Sequence, residues 1–340
     1  MEVTVLGIDL AKTVFQLHGV DRKDHPTLRR KIVRQELLGF TGQLKPCLIA
    51  MEACGGSHYW AKKFRAQGHN VKLIAAQHVT PYRQSQQKND RNDAEAIVEA
   101  ALRPKMKFVG VKTEAQQDLQ SLHRVRQQMV DMRTAMINQC RGLFMEYGVT
   151  LSKGAASFRR ELPEALEEAN NDLTATIREM GKELKETIED FTEKIKQIEA
   201  KILNLCKEES NYARLLKVPG VGAMSASMFL ASIGDAREFK NGRHLSAWMG
   251  LVPRQCSSGG KVRLLGITKA GDHRLRSMLI HGARSLILAA KRTQAKDSRT
   301  QWILKMLDKK GWNVTAVALA NRNCRIMCHL IKNEAEYKTA

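Results

Sequence analysis

The sequence predicts a mixed α/β N-terminal domain, a long helical middle and a mainly α C-terminal domain. Three observations support this. Short apolar runs rich in β-branched residues come first in succession and then alternate with helical stretches over residues 1–112. Apolar residues recur at spacings of three and four through residues 113–210. From 211 to 340, amphipathic helical patterns are separated by glycine-bearing turns.

In the first region, Val3 to Ile8 has the composition of a central buried strand and is closed by Asp9. Val14 to Val20 and Arg29 to Val33 are two further strands. Glu36 to Leu44 is a short helix stopped by Pro46. Cys47 to Met51 is another buried strand, closed by Glu52. Gly55-Gly56 breaks the chain before a helix over Ser57 to Ala66, and Val71 to Ile74 is the last strand. Ligands gather at the carboxyl ends of strands in such sheets, where Asp9 and Glu52 fall. A carboxylate directly after an apolar run is costly without a partner. Two more acids, Asp90 and Asp93, follow at a spacing that places both on one face of a helix. Hard oxygen ligands of this kind suit Mg²⁺ or Mn²⁺. The segment Gln77 to Lys88 between them is polar, basic and aperiodic, either a nucleic-acid-facing loop or an exposed connection.

Two long helices follow. One carries Leu119, Leu122, Val125, Met129, Met132, Met136, Cys140, Leu143 and Tyr147, with Gly148 at its end. The other carries Leu173, Ile177, Met180, Leu184, Ile188, Phe191, Ile195, Ile198, Ile202 and Leu205, a heptad pattern with one stutter. Residues 151–210 hold ten Lys/Arg against fourteen Asp/Glu, while the whole chain has a formal net charge of +21. An acidic arm in a basic protein is not its nucleic-acid face. It is a coiled-coil device that joins subunits as a homo-oligomer (dimer or tetramer), or an intramolecular helical hairpin.

Val218-Pro219-Gly220-Val221-Gly222, followed by a small-residue helix, has the pattern of a helix-hairpin-helix element or of an ordinary turn. Residues 240–300 contain thirteen Lys/Arg against two acids, the strongest basic concentration in the chain. Lys261, Arg263, Lys269, Arg274 and Arg276, with Gly220 and Gly222, are therefore the candidate nucleic-acid-binding residues. Asp272 caps the next helix, with Leu275, Met278, Leu279, Leu286 and Ile287 on its core side. Two helices close the chain, Trp302 to Leu307 and, after Gly311, Val314 to Ile331. The seven cysteines follow no zinc spacing and imply reduced thiols, Cys324 and Cys328 being core residues. No membrane span or signal-like segment is predicted, which points to a cytoplasmic protein.

Gly7-Ile8-Asp9-Leu10-Ala11-Lys12, Met51-Glu52-Ala53 and Asn89-Asp90-Arg91-Asn92-Asp93-Ala94 resemble the Asp-Glu-Asp-Asp (DEDD) domain of a family of bacterial insertion-sequence transposases. The resemblance implies a ribonuclease-H-like fold similar to Holliday-junction resolvases such as RuvC, with Asp9, Glu52, Asp90 and Asp93 as metal-binding catalytic residues. Ser257-Ser258-Gly259-Gly260-Lys261, between Gly250-Leu251-Val252-Pro253 and Gly266-Ile267-Thr268-Lys269-Ala270-Gly271, resembles the second signature of that family. It implies a serine nucleophile that holds DNA as a covalent phosphoserine: Ser258, with Ser257 as the adjacent alternative. By this resemblance the metal site is half of a composite centre. The family also implies DNA as substrate, a structured non-coding guide (bridge) RNA and a nucleoid-associated location. The competing reading is a junction endonuclease without a covalent intermediate.

Overall fold

The apolar run ahead of Asp9 forms β1, Val5–Asp9, at the centre of a six-stranded sheet. The computed structural model of the chain describes residues 2–83 and 90–338, and the side chains of Asp90 and Arg91 also lie outside the described part. Residues 1–113 and 114–340 make up two compact units.

In the first unit β1 is followed by β2, Val14–Val20, and β3, Pro26–Val33. Then come α1, Leu37–Gly42; β4, Leu48–Glu52; α2, Ser57–Ala66; and β5, Asn70–Ile74. A helical turn, α3, Ala76–Val79, and a 3₁₀ turn over Thr80–Tyr82 lead to residue 83. The basic segment from Gln77 is therefore locally helical as far as it is described, and the rest of it, residues 84–89, lies outside the described residues. The unit closes with α4, Asp90–Ala101, and a two-residue strand β6, Phe108–Val109, which no pattern in the sequence announces.

The strand order is β3-β2-β1-β4-β5-β6. β1, β2 and β3 form an antiparallel meander, β4 and β5 run parallel to β1, and β6 is antiparallel at the edge. This mixed sheet is consistent with the ribonuclease-H-like expectation. Strand periodicity sorts its two faces. Leu6, Ile8, Ile49, Met51 and Leu73 point to the side covered by Trp60 and Phe64 of α2. Val5, Gly7 and Ala50 point the other way, toward Ala96, Ile97 and Val98 of α4.

The second unit begins with α5, Glu114–Met145, then α6, Ala155–Glu167, and α7, Ala175–Cys206. The start of α5 shares a core with Ile198, Ile202 and Cys206, while its end (Ile137, Cys140, Phe144) packs with Ile188 and with Phe158 and Leu162 of α6. The long helices thus form an antiparallel hairpin, tied by Arg126 Nε donating to Glu199 Oε1 at 2.7 Å. The α7 stripe is buried within its own chain at Ile188, Ile195, Ile198 and Ile202, which is the hairpin alternative for this arm. Two registers differ from the periodic reading. Ile137 and Phe144 are inside rather than Met136 and Leu143, and Cys206 is inside while Leu205 is exposed.

After α7 come α8, Ser210–Leu216; α9, Ala223–Ile233; α10, Gly242–Trp248; the hairpin β7, Pro253–Gln255, and β8, Leu264–Ile267; α11, His273–Thr293; and α12, Ser298–Lys332. Gly311, with φ 74°, interrupts α12 where the sequence separates two helices. Asp272 caps α11 by accepting from the amides of Arg274 and Leu275. Among the described residues no helix is long and apolar enough to cross a membrane.

Candidate active site

Gly7 explains how the acids come together. A Cβ there would sit 2.5 Å from the carbonyl oxygen of Ala94 and 2.6 Å from Val98 Cγ2, so α4 lies directly on the bare backbone of β1. Val98 packs beside Val5 and Ala94 over Gly7, so α4 runs opposite to β1 and its first turn, with Asp90 and Asp93, arrives at the Asp9 end. Asp9 lies two residues past Gly7 and therefore faces the same helix. On the neighbouring parallel strand Ala50 pairs with Gly7 and Met51 with Ile8, which sets Glu52 beside Asp9, about 4.8 Å away at the backbone.

Three of the four expected acids are thus gathered at one end of the sheet, and the fourth, Asp90, is there by its backbone, its side chain lying outside the described residues. Asp93 is buried, with 5% of its surface exposed. Its carboxylate is compensated by Arg83, whose Nε is 2.8 Å from Asp93 Oδ1 and whose Nη2 is 3.5 Å from Glu52 Oε2. Cys54 lies at the edge of the cluster. Partial desolvation raises its thiol pKa, and the charges of Glu52 and Asp9 raise it further.

The serine segment is on the second unit. Gly259 and Gly260 have φ of 54° and 77°, and Lys261 N donates to Ser258 O at 3.0 Å, so Ser258 to Lys261 is a type I′ turn. It forms the exposed tip of the β7–β8 hairpin, with Ser258 and Lys261 paired across the strands. The two serines differ. Ser257 Oγ accepts from Gln255 Nε2 at 2.9 Å and from Arg263 N at 3.4 Å, whereas the Ser258 hydroxyl has no hydrogen-bond partner among the described residues.

Of the candidate nucleic-acid residues, Lys261, Arg263 and Lys269 are exposed and Arg274 is half-buried. Gly222 starts α9 with no side-chain cap, and it is exposed. Gly220 serves packing instead, since at φ 80° its α-carbon lies against Leu286 and Gly282 of α11. Arg276 requires a correction. It is 8% exposed and its Nη1 donates to the carbonyls of Met249 and Ala270, so it braces the loop before α11 and is not part of the exposed basic face. The charge count that singled it out is blind to helix phase.

Sequence reasoning missed Arg83 as a partner of the acids, because a residue in an aperiodic segment carries no signal of where its side chain goes. It also missed His123, buried in α5 and sharing a 3.0 Å hydrogen bond with Ser227 Oγ. Burial and the neighbouring Arg126 push its pKa down to about 4, against a smaller opposing effect of Asp272.

A mixed sheet with carboxylates at its strand ends, in one chain with a unit bearing an exposed basic hairpin, is consistent with an enzyme acting on nucleic acid. Comparison with known proteins makes this particular. A transposase model of the DEDD IS110 type matches residues 6–149, and a model described as transposase IS116/IS110/IS902 family matches residues 212–298. The chain is 45% identical over 99% of both lengths to a probable family 20 transposase of Pseudomonas aeruginosa. It is 41% identical to the transposase for insertion sequence element IS1111A of Coxiella burnetii, over 99% of this chain and 92% of that one. It is 38% identical to the transposase for IS1328 of Yersinia enterocolitica, over 95% of both. The chain belongs to the IS110 family of DEDD transposases, enzymes that cut and rejoin DNA.

A DEDD domain implies a divalent metal ion. The donors fit one chemically: the described acids offer only hard oxygens, and a buried carboxylate such as Asp93 calls for a cation. Yet Glu52 and Asp93 are both committed to Arg83, and among the described residues no three acid, imidazole or thiol groups are gathered closely enough to hold an ion.

Proposed function

We propose that this transposase breaks DNA with Ser258 as nucleophile, using Mg²⁺ or Mn²⁺ held by Asp9, Glu52, Asp90 and Asp93. The observation that carries the reading is the hairpin tip, which leaves the Ser258 hydroxyl unengaged beside Lys261 while Ser257 is tied into the hairpin. A divalent cation at the acids would neutralise phosphate charge and activate an oxygen nucleophile. Ser258 Oγ attacks phosphorus, the Oγ–P bond forms and the P–O bond to the leaving deoxyribose oxygen breaks. The serine gives up its proton and the leaving oxygen takes one up. Lys261 and Arg263 are exposed on the same hairpin as compensating charge for the five-coordinate phosphorus. Rejoining reverses these steps: a strand hydroxyl attacks the phosphoserine, and the serine oxygen leaves and recovers its proton. The phosphodiester energy is conserved throughout, so no nucleoside triphosphate is needed.

The first unit is read as RuvC-like, on its mixed sheet and the positions of its acids. The exposed basic residues Lys261, Arg263 and Lys269 and the half-buried Arg274, with the uncapped start of α9 at Gly222, are read as the phosphate-contacting face. A structured guide RNA, a cytoplasmic site of action and a homo-oligomer assembled through the helical arm complete the reading; the RNA rests on the family resemblance, the location on the unpatterned cysteines, and the oligomer on the heptad stripe and acidic charge of the arm.

Denaturing gels of reactions with end-labelled DNA test the nucleophile. A protein–DNA adduct forms with wild type and Ser257→Ala and is absent with Ser258→Ala. An adduct that persists in Ser258→Ala rejects the assignment. Strand cleavage by Ser258→Ala without an adduct would favour the junction-endonuclease alternative.

A further inference from the structure

Among the described residues, Arg83 is a basic side chain seated against two of the acids, Glu52 and Asp93. It follows the 3₁₀ turn Thr80–Tyr82, and its amide donates to Thr80 O at 3.2 Å, which fixes the backbone from which the guanidinium reaches inward. The side chain is 27% exposed, against 8% for Asp93 and 19% for Glu52, so it enters from the solvent side and lies over the two carboxylates. Its Nε meets Asp93 and its Nη2 meets Glu52, so one monovalent cation spans oxygens contributed by a strand end and by a helix. These are two of the four positions assigned to the metal.

We propose that Arg83 is a built-in counter-cation that occupies the acidic site before metal loading and competes with the metal for Glu52 and Asp93. The inference rests on the metal-site reading given above. A guanidinium and a divalent ion cannot both hold the same carboxylate oxygens, so loading must displace Arg83. The displaced side chain stays tethered at the rim by its short connection to Thr80, where its charge faces the phosphate that the metal receives. Arg83 therefore weakens metal binding by the free enzyme and strengthens the hold on DNA once metal is in place.

The test is Mn²⁺ titration, followed by the resonance of free Mn²⁺, on full-length wild type, Arg83→Gln and Asp93→Asn, with thermal melting of each protein with and without Mn²⁺. Arg83→Gln is expected to bind Mn²⁺ roughly tenfold more tightly, the change set by removing one charge-assisted pair. Its metal-free form melts lower than wild type and gains more on Mn²⁺ addition, yet it cleaves labelled DNA more slowly at saturating Mn²⁺. That split between tighter metal binding and slower cleavage is not produced by a merely structural arginine. Equal or weaker Mn²⁺ binding by a folded Arg83→Gln overturns the proposal. Arg83→Lys, which keeps the charge but loses the fork, is the second variant: it is expected to bind Mn²⁺ at an intermediate strength, and if Arg83→Gln melts too low to titrate, binding by Arg83→Lys no tighter than wild type overturns the proposal. If wild type binds Mn²⁺ no better than Asp93→Asn, the metal-site reading itself fails, a result distinct from failure of the counter-cation.

Discussion

A methyl group added at Gly7 would collide with the Ala94 carbonyl and with Val98, and both belong to the helix that delivers Asp93. Gly7→Ala should therefore cost about 1–3 kcal/mol, as overpacking generally does. It should also weaken Mn²⁺ binding, because α4 must move away from the strand that carries Asp9. Thermal unfolding and Mn²⁺ titration check both; an unchanged melting temperature would show that the helix yields freely. His123 sets a different expectation. Its pKa is pushed down to about 4 in the folded protein, against an ordinary value of 6.5. The unfolded chain then takes up a proton that the folded chain refuses, so stability is full above pH 6.5 and falls as the pH drops toward 4. The loss approaches roughly 3 kcal/mol. His123→Gln should flatten that slope in denaturant titrations across the same pH range. Neither role was legible in advance. The Gly7-Ile8-Asp9 run points to the acid, while the need for glycine is set by a helix that begins some eighty residues later.

At the scale of elements, the basic stretch from 240 to 300 separates into bracing and exposed cations. Arg276→Ala should lower the melting temperature by removing a buried donor to two carbonyls, and leave the salt dependence of DNA binding unchanged in slope. Lys269→Ala should do the reverse: an unchanged melt, weaker binding to every duplex, and a salt slope smaller by about 0.9. Fluorescence anisotropy over a salt series distinguishes the two. Elements with a strong local signature were readable from sequence. Ser57–Ala66 follows its Gly-Gly break, Val14–Val20 follows its β-branched run, and α11 follows its Asp272 cap. What was not readable depends on partners distant in sequence. The pairing of β6 with β5 adds only two residues, and the phase of α5 was misjudged by one position because α6 and α7 choose which neighbours it buries.

For the molecule as a whole, the family and the order of its two signatures were legible along the chain, but the use of the acidic arm was not. A heptad stripe looks the same whether its partner is another copy or the helix before it. Here α5 covers it, leaving Val125 and Met132 exposed along α5, with Met145 and Leu205 exposed near the ends of α5 and α7. If the arm also joins subunits, Val125→Glu with Met132→Glu should lower the mass found by light scattering without lowering the melting temperature. The hairpin tip has one further consequence, for tolerance of substitution. With both central residues of its turn at positive φ, the tip admits few replacements. A library randomised at 259 and 260 and selected for transposition should return Gly, with Asn or Asp at 259, and almost no β-branched residues. The chemically simplest stretch of the chain should thus be its least mutable, fixed by backbone handedness before any demand from DNA is considered.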